Sequence, residues 1–456
     1  MVRVVVVGGG PAGNQAASRA ASLGAHVTLV ERDIVGGAAH LWDCIPSKAM
    51  IATAGALSFS RRMSGLGLVA AGGGAGRVDH DALGARIEEV TSRLQGSVEQ
   101  LLVSQKVRIL RGEARLTGPR SVAVSGLGNE EEELGAEAIV VSTGSRPRVP
   151  DWAEPDGERV LTTRQAYPPP ELPDHLVVVG SGVTGVEFVH MFSSLGSKVS
   201  LIVSRQHVLP HKDAEVAAAL EEELLRRGVR LYKGARAQGV SVDGTKVSVE
   251  CDDGRVVHGS HVLLAVGSVA NSDHLGLERA GVQTDKWGYI TVNHHCQTNV
   301  PHIYAAGDVS GKLPLSSVAS MQGRKVAEHI MGLHTREHRH IDYDKAASAV
   351  FTEPEIADVG LAEAEAFASG RKIRVTKVPF GASAKALIND DPRGFVKIIS
   401  DPATGVVLGG CVVGNQAAEL ISVLALAVTA GLKVTDLVES CLVHPSLAEA
   451  LADAAD

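Results

Sequence analysis

Two unbroken apolar runs, Val4-Val5-Val6-Val7 and Leu176-Val177-Val178-Val179, interrupt the mixed pattern of the chain. A strand covered on one face alternates apolar with polar residues, whereas a continuous run fits a strand covered on both faces, as in a parallel sheet. Each run enters a glycine turn and then a stretch with helical spacing. The pattern therefore predicts strand, turn, helix and strand twice. Over residues 1–32 the helix is carried by Asn14 to Leu23 and the second strand by His26 to Val30. Over residues 175–268 the helix ends at Gly196 and the next strand is Lys198 to Val203. Residues 45–63 and 80–105 have helical spacing, the second as a long amphipathic helix, and short strands are expected near 107–125 and 136–142. Asp213 to Arg227 predicts a charged amphipathic helix closed by Gly228. Ala71-Gly72-Gly73-Gly74-Ala75-Gly76 predicts a flexible loop, Pro147, Pro150 and Pro155 a crossover, and Pro168 to Pro170 a linker. From about 270 to 340 the pattern returns to that of the first unit, and from about 345 onwards strand-like stretches (Gly394 to Ser400, Val406 to Val413) and Ala-rich helices suggest an α+β domain.

A chain of 456 residues is too long for one core. The expected organisation is α/β, with two Rossmann-like domains (1–148 with 270–340, and 149–269) and a C-terminal α+β domain over 341–456. Apolar residues make up 45% and charged residues 21%, as in globular proteins. A net charge of −8 without a long basic run offers no footprint for nucleic acid. The acidic stretch Glu130 to Glu133 reads as a solvated hairpin tip. The longest apolar run, Leu420 to Leu432, contains Ser and Thr and falls short of the ~20 residues a membrane span needs. The first strand starts at residue 3, which predicts no signal peptide before it. Cysteines 44, 251, 296, 411 and 441 lack metal-ligand spacing, so neither a metal site nor a disulfide framework is expected, and a reducing, cytoplasmic location fits.

The glycine turns carry the chemistry. Gly8, Gly10 and Gly13 form one GxGxxG, and Gly180, Gly182 and Gly185 a second. In this fingerprint the first glycine makes the turn, the second lets backbone approach a pyrophosphate, and the third lets helix pack on strand. The helix N-terminus then offers N–H groups and partial positive charge to the phosphates. Glu31, at the end of the strand from His26, has the spacing of a ribose-binding acid. The matching position in the second unit is Ser204, followed by Arg205. Without the acid that favours NAD, and with one arginine available to a 2′-phosphate, this reads as an NAD(P)H site of weak discrimination; both residues could equally be plain loop. Two dinucleotide sites in one chain point to electron exchange between two cofactors.

Between them lies Gly36-Gly37-Ala38-Ala39-His40-Leu41-Trp42-Asp43-Cys44-Ile45-Pro46-Ser47-Lys48. With the two fingerprints, this resembles the flavoprotein disulfide reductases, which include lipoamide dehydrogenase, glutathione reductase and mercuric reductase. Further segments carry the likeness over nearly the whole chain. Ser142-Thr143-Gly144 resembles the family's ATG turn, and Tyr304-Ala305-Ala306-Gly307-Asp308 its second FAD motif, whose Asp bonds the ribityl chain. Phe351-Thr352-Glu353-Pro354-Glu355 resembles the start of its interface domain, and His444-Pro445-Ser446-Leu447-Ala448-Glu449 its His–Glu dyad. The resemblance implies a homodimer, with 341–456 as its dimerisation domain and the two Rossmann-like domains as dinucleotide-binding domains; FAD binds at the first fingerprint, with Ala114, Thr143, Gly144 and Asp308 as further contacts. It implies NADH or NADPH at the second, with Gly267 as a further contact. Lys48 and Glu187 match the charged pair beside flavin N5, with Glu187 on the first turn of its helix. His444 and Glu449 match the proton-shuttling dyad contributed by the partner subunit.

One position departs from the family. The redox pair is CxxxxC, and here the first member is Ala39 while Cys44 remains. One thiol cannot close an internal disulfide, so relay to a disulfide substrate is not expected unless Cys296 or another distant cysteine substitutes. Cys44 is read as a relic filling space beneath the flavin, a thiolate donating charge to it, or a peroxide-reactive thiol. The stretches before Cys44, at Gly180 to Gly185 and at Val318-Ala319-Ser320-Met321-Gln322-Gly323-Arg324 narrow the resemblance to the lipoamide-dehydrogenase-like NAD(P)H:quinone reductases of actinobacteria. The last segment also resembles the soluble transhydrogenases. The expectation is direct transfer from reduced flavin to a small quinone-like acceptor, with His444 and Glu449 supplying protons. Transhydrogenation, single-cysteine peroxide or mixed-disulfide reduction, and a non-catalytic flavoprotein are the alternatives.

Overall fold

The computed structural model describes residues 1–68, 76–126, 131–333 and 340–456. Most of the predicted glycine-rich loop, residues 71–75, lies outside them, as does Glu130. The chain forms two compact units. The first comprises residues 1–47, 84–148 and 268–343, and the second 48–83, 149–267 and 344–456.

The first unit is built on a seven-stranded sheet in the order Ile303–Ala305, Ala138–Val141, Arg3–Val7, His26–Glu31, Arg108–Gly118, Ser121–Gly126, Glu131–Gly135. The first five are joined by parallel pairings and the last two by antiparallel ones. The unbroken valine run now has a physical cause. Val4 and Val6 enter a core with Ala12, Ala16, Ala20, Val326 and Ala327 on one face. Val5 and Val7 enter another, with Leu116, Val122, Ile139 and Ile303, on the opposite face. On the first face, helix Pro11–Ser22 packs against Ser316–Ile330 with almost no intervening side chain. A Cβ at Gly323 would overlap the Ala12 carbonyl oxygen and reach within 3.0 Å of Ala16 N.

The acidic run is not a hairpin tip over its described part. Glu131 to Glu133 lie inside strand Glu131–Gly135, at the edge of the sheet. There Glu131 binds Arg115 at 2.7 Å, Glu132 binds Arg108 at 2.7 Å, and Glu133 accepts from Thr117 Oγ1 at 2.9 Å. Backbone pairing of its strand with Ser121 to Ser125 holds it in the sheet, and its side chains reach Arg108, Arg115 and Thr117 one strand further on, partners invisible to a local charge count.

The second unit repeats the parallel arrangement in the order Arg230–Lys233, Lys198–Val203, His175–Val179, His261–Leu264, Val160–Thr162. Val177, Val179, Ile202, Val262 and Leu264 pack there with Val247 and Val249 of a three-stranded antiparallel sheet. Its C-terminal part is an antiparallel sheet of Ser348–Val350, Glu355–Gly360, Val407–Gly414, Phe395–Ser400 and Arg374–Pro379. Helix Ala417–Ala430 lies across it through Leu420, Ile421, Leu424 and Ala427. The apolar run near 420 is thus explained by core burial. Among the described residues no helix is long and apolar enough to cross a membrane.

The two parts of this second unit meet around a buried ionic cluster. Glu353 receives Arg393 at 2.8 Å, Arg62 at 2.9 Å and Arg227 at 3.1 Å, and Glu223 receives Arg227 at 2.6 Å and Arg393 at 3.1 Å. Burial alone would push the Glu353 carboxyl up, but hydrogen bonding from Arg393 and the field of Arg227 outweigh it and hold it at about 2. His190, whose Nδ1 lies 3.2 Å from Arg227 Nη1, is lowered to about 4 by burial and then by that guanidinium.

Both groups destabilise the fold in acid. As pH falls from about 6.5 towards 4, the unfolded chain protonates His190 before the folded chain does. Below about 4.5 and towards 2 the same holds for Glu353. Denaturant titrations across pH should show stability falling from pH ~6.5 downwards, on the order of 2–3 kcal/mol from His190 alone. His190→Gln should flatten the upper part of that decline; an unchanged slope would contradict the assignment.

Candidate active site

The two glycine turns have the same construction. Gly8 and Gly180, at φ +100° and +110°, face the carbonyls of Ser142 and Ala265 so closely that a Cβ would overlap them. A Cβ at Gly13 or Gly185 would overlap the carbonyl oxygen of Gly8 or Gly180. At Gly10 and Gly182 the result is the reverse: a Cβ would meet nothing within 4 Å. These middle glycines are the N-caps of helices Pro11–Ser22 and Val183–Leu195, and neither cap makes a side-chain hydrogen bond. Each turn therefore sets uncapped helix N–H groups and the helix's positive end beside open space, the arrangement that holds a pyrophosphate.

Around the first turn, Glu31 is buried and uses both oxygens: Oε2 accepts from Gly9 N at 2.6 Å and Oε1 from Asp33 N at 2.7 Å. Ser142 Oγ donates to Gly8 O at 2.9 Å. Thr143 Oγ1 donates to Asn271 O at 2.6 Å, and Asn271 N donates to Gly144 O at 3.0 Å. Asp308 Oδ2 accepts from Ser145 Oγ at 2.7 Å, next to Gly307, whose N–H donates to Gln322 Oε1 at 2.7 Å. Ala114 sits in strand Arg108–Gly118 opposite Val124. The resemblance singled out Thr143, Gly144 and Asp308. It did not single out Asn271, which binds Thr143 and Gly144 and which no local motif marks; Gln322 lay in the marked stretch Val318 to Arg324, but without its role toward Gly307.

Around the second turn, Ser204 and Arg205 are exposed just beyond strand Lys198–Val203. Gly267, at φ +98°, has nothing within 4 Å of an added Cβ.

Ala39 lies in the short helix Gly37–Leu41, and Cys44 begins helix Cys44–Arg62. The Cys44 Sγ is 3.2 Å from Ser316 Oγ. All five cysteines are free. Cys296 is buried, which pushes its thiol up to about 11, and Cys411 is raised by burial to about 12. Neither is poised as a thiolate.

Lys48 lies on the same helix as Cys44, one turn along. Its Nζ is 2.8 Å from Glu187 Oε2 and 4.6 Å from the centre of the Phe351 ring. Glu187 Oε1 accepts from Phe351 N at 2.9 Å. The Glu187 side chain is 8% exposed and that of Lys48 34%, so the carboxylate is fixed and the ammonium keeps one open side. Helix Val183–Leu195 begins two residues before Gly185, which places Glu187 just past the first turn rather than on it. Phe351, which anchors both members of the pair, was not foreseen in this role, since its contact comes from another part of the chain.

His444 Nδ1 is 2.7 Å from Glu449 Oε1, while Glu449 Oε2 accepts from Ser446 N at 2.8 Å. The Ser446 N–H and then His444 lower the Glu449 carboxyl. The imidazole is 73% exposed on the single chain, and Glu449 fixes its orientation through Nδ1.

Residues 2–323 match the family described as pyridine nucleotide-disulphide oxidoreductase, and residues 346–455 match that family's dimerisation domain. An NAD(P)H dehydrogenase (quinone) of Mycobacterium tuberculosis is 41% identical over 474 residues, covering 100% of this chain and 93% of that protein. A dihydrolipoyl dehydrogenase of Zymomonas mobilis is 34% identical, covering 98% of this chain and 96% of its own. The solved structure of LpdA from Mycobacterium tuberculosis superposes with a TM-score of 0.94 at 40% identity, over 100% of this chain and 99% of that one. The α/β class with its C-terminal dimerisation domain agrees with these matches.

Replacing Glu187 by leucine removes the partners of both Lys48 Nζ and Phe351 N–H. Chemical denaturation should show a loss of about 1–3 kcal/mol. Glu187→Gln keeps an acceptor for Phe351 N–H and should cost less; equal losses would mean that bond contributes nothing.

Proposed function

The chain belongs to the pyridine nucleotide-disulphide oxidoreductase family, and from that membership we propose an FAD-dependent NAD(P)H oxidoreductase that delivers electrons from the flavin directly to a quinone-like acceptor. Residues 1–148 with 270–340 would hold FAD, and 149–269 the nicotinamide cofactor. The turn at Gly8, Gly10 and Gly13 fits an FAD pyrophosphate because only its middle glycine opens to space, and the turn at Gly180, Gly182 and Gly185 fits NADH or NADPH for the same reason. When bound, FAD supplies a two-electron store between nicotinamide and acceptor.

The chain's own residues have distinct parts. Glu31 and Asp308 would bind the ribose and ribityl hydroxyls. Lys48, paired with Glu187 and set against the Phe351 ring, would offer its ammonium to a negatively charged reduced flavin. Ser204 and Arg205 are open to either form of the cofactor's ribose, which favours weak discrimination. His444, oriented by Glu449, would supply protons to an acceptor that takes up two electrons, acting from the partner subunit of a homodimer through the dimerisation domain.

The observation that carries this reading is Ala39 in the place of the family's first redox cysteine, with Cys44 paired to Ser316 instead of a second sulfur. A disulfide substrate is reduced by thiolate attack, and the attacking member is missing. The kinship with dihydrolipoyl dehydrogenases extends to the scaffold without carrying that step over.

Anaerobic stopped-flow is the test. The FAD-loaded protein, reduced with NADH or NADPH, should be reoxidised rapidly by menadione and not by lipoamide. Rapid reoxidation by lipoamide would mean that another cysteine completes a redox pair.

A further inference from the structure

Four imidazoles of the first unit pack against one another. The rings of His294 and His295 are 4.1 Å apart, those of His294 and His340 4.4 Å, and those of His295 and His340 4.7 Å. One ligand nitrogen from each of His294, His295 and His340 lies within 4.8 Å of the others. We propose that these three side chains form a binding site for a divalent transition metal ion of the copper or zinc type.

The donor set decides the class of metal. Three imidazole nitrogens suit Zn²⁺, Cu²⁺ or Ni²⁺, whereas Mg²⁺ and Ca²⁺ require oxygen ligands. A metal–nitrogen distance of about 2.0–2.1 Å places tetrahedral ligands about 3.4 Å apart. The present separations need a contraction on the order of 1 Å, within reach of side-chain rotation. His294 and His340 are exposed, while His295 is half-buried. Three protein ligands leave a position for water, as in an open zinc site.

The scaffold beneath is already fixed. Asn293 Oδ1 accepts from His295 N at 2.9 Å and from Gln297 N at 3.1 Å, which closes the turn that carries the histidine pair. Ala305 N donates to Cys296 O at 2.9 Å, tying that turn to strand Ile303–Ala305. His329 stacks on His295 with ring centres 4.4 Å apart, and its Nδ1 is hydrogen-bonded to Tyr304 Oη at 2.9 Å. That bond orients the ring against which His295 packs. A shared ion would fasten residue 340 to the turn at 294–295 and so stabilise the fold by mass action. The reading of Cys44 and its surroundings is independent of this site.

The test uses the tag-free full-length chain titrated with Zn²⁺ against a chromophoric chelator, and with Cu²⁺ followed by electron paramagnetic resonance. One equivalent should bind, the Cu²⁺ spectrum should carry nitrogen hyperfine structure, and Zn²⁺ should raise Tm. In His294→Ala/His340→Ala, affinity should fall at least about tenfold. The Zn²⁺-dependent rise in Tm should disappear while the metal-free Tm is kept. Equal uptake by the double variant would overturn the site. So would loss of uptake only in Cys44→Ser, or only in His334→Ala/His338→Ala, two neighbouring histidines outside the described residues.

Discussion

Backbone meeting backbone at the two glycine turns is the contact on which the rest depends. At Gly13 and Gly185 the helix comes so close to the preceding turn that no side chain fits between them. That approach aims each helix N-terminus past the end of a buried strand, and the middle glycine keeps the space in front open. The strands can carry such joints because their valines are covered on both faces, Val4 and Val6 by one core and Val5 and Val7 by another. A sheet covered on both faces positions two uncapped helix ends beside open space.

The chemistry proposed for the chain follows from what stands beside Lys48. A lysine that must respond to charge on a neighbouring group needs a partner that holds it without sealing it off. Glu187 does so from a buried position, and its second oxygen is committed to Phe351 N–H, which limits its freedom to move. One turn earlier on the same helix, Cys44 faces a hydroxyl rather than a second sulfur. This combination retains the groups that would tune a flavin and lacks the group that would pass electrons through a disulfide. Under the proposed function, the dyad of His444 and Glu449 would protonate an acceptor that gains two electrons.

The legible part of the sequence was the part governed by local rules. Valine runs, glycine spacing and the helix ending at Gly196 carry their own physics, and the parallel strands Arg3–Val7 and Lys198–Val203 emerged where the pattern placed them. The placement of Glu131 to Glu133 failed because their strand pairs with Ser121 to Ser125 and the run reaches Arg108 and Arg115 in the strand beyond, partners that a local charge count does not show. The contacts of Asn271, Ser316, Gln322 and Phe351 were illegible for the same reason: each reaches a motif residue from a distant stretch, although Gln322 and Phe351 themselves lay in stretches the resemblance marked. The histidine cluster is another case, since 294–295 and 340 become neighbours only after folding.

The number of electrons the protein takes up tests the central claim most directly. Anaerobic dithionite titration of the FAD-loaded chain would count them while the flavin spectrum is followed. If Ala39 leaves the flavin as the sole redox centre, reduction should be complete at two electrons per flavin. An end point of four would reveal a second redox pair involving Cys44 and would contradict direct transfer from the flavin.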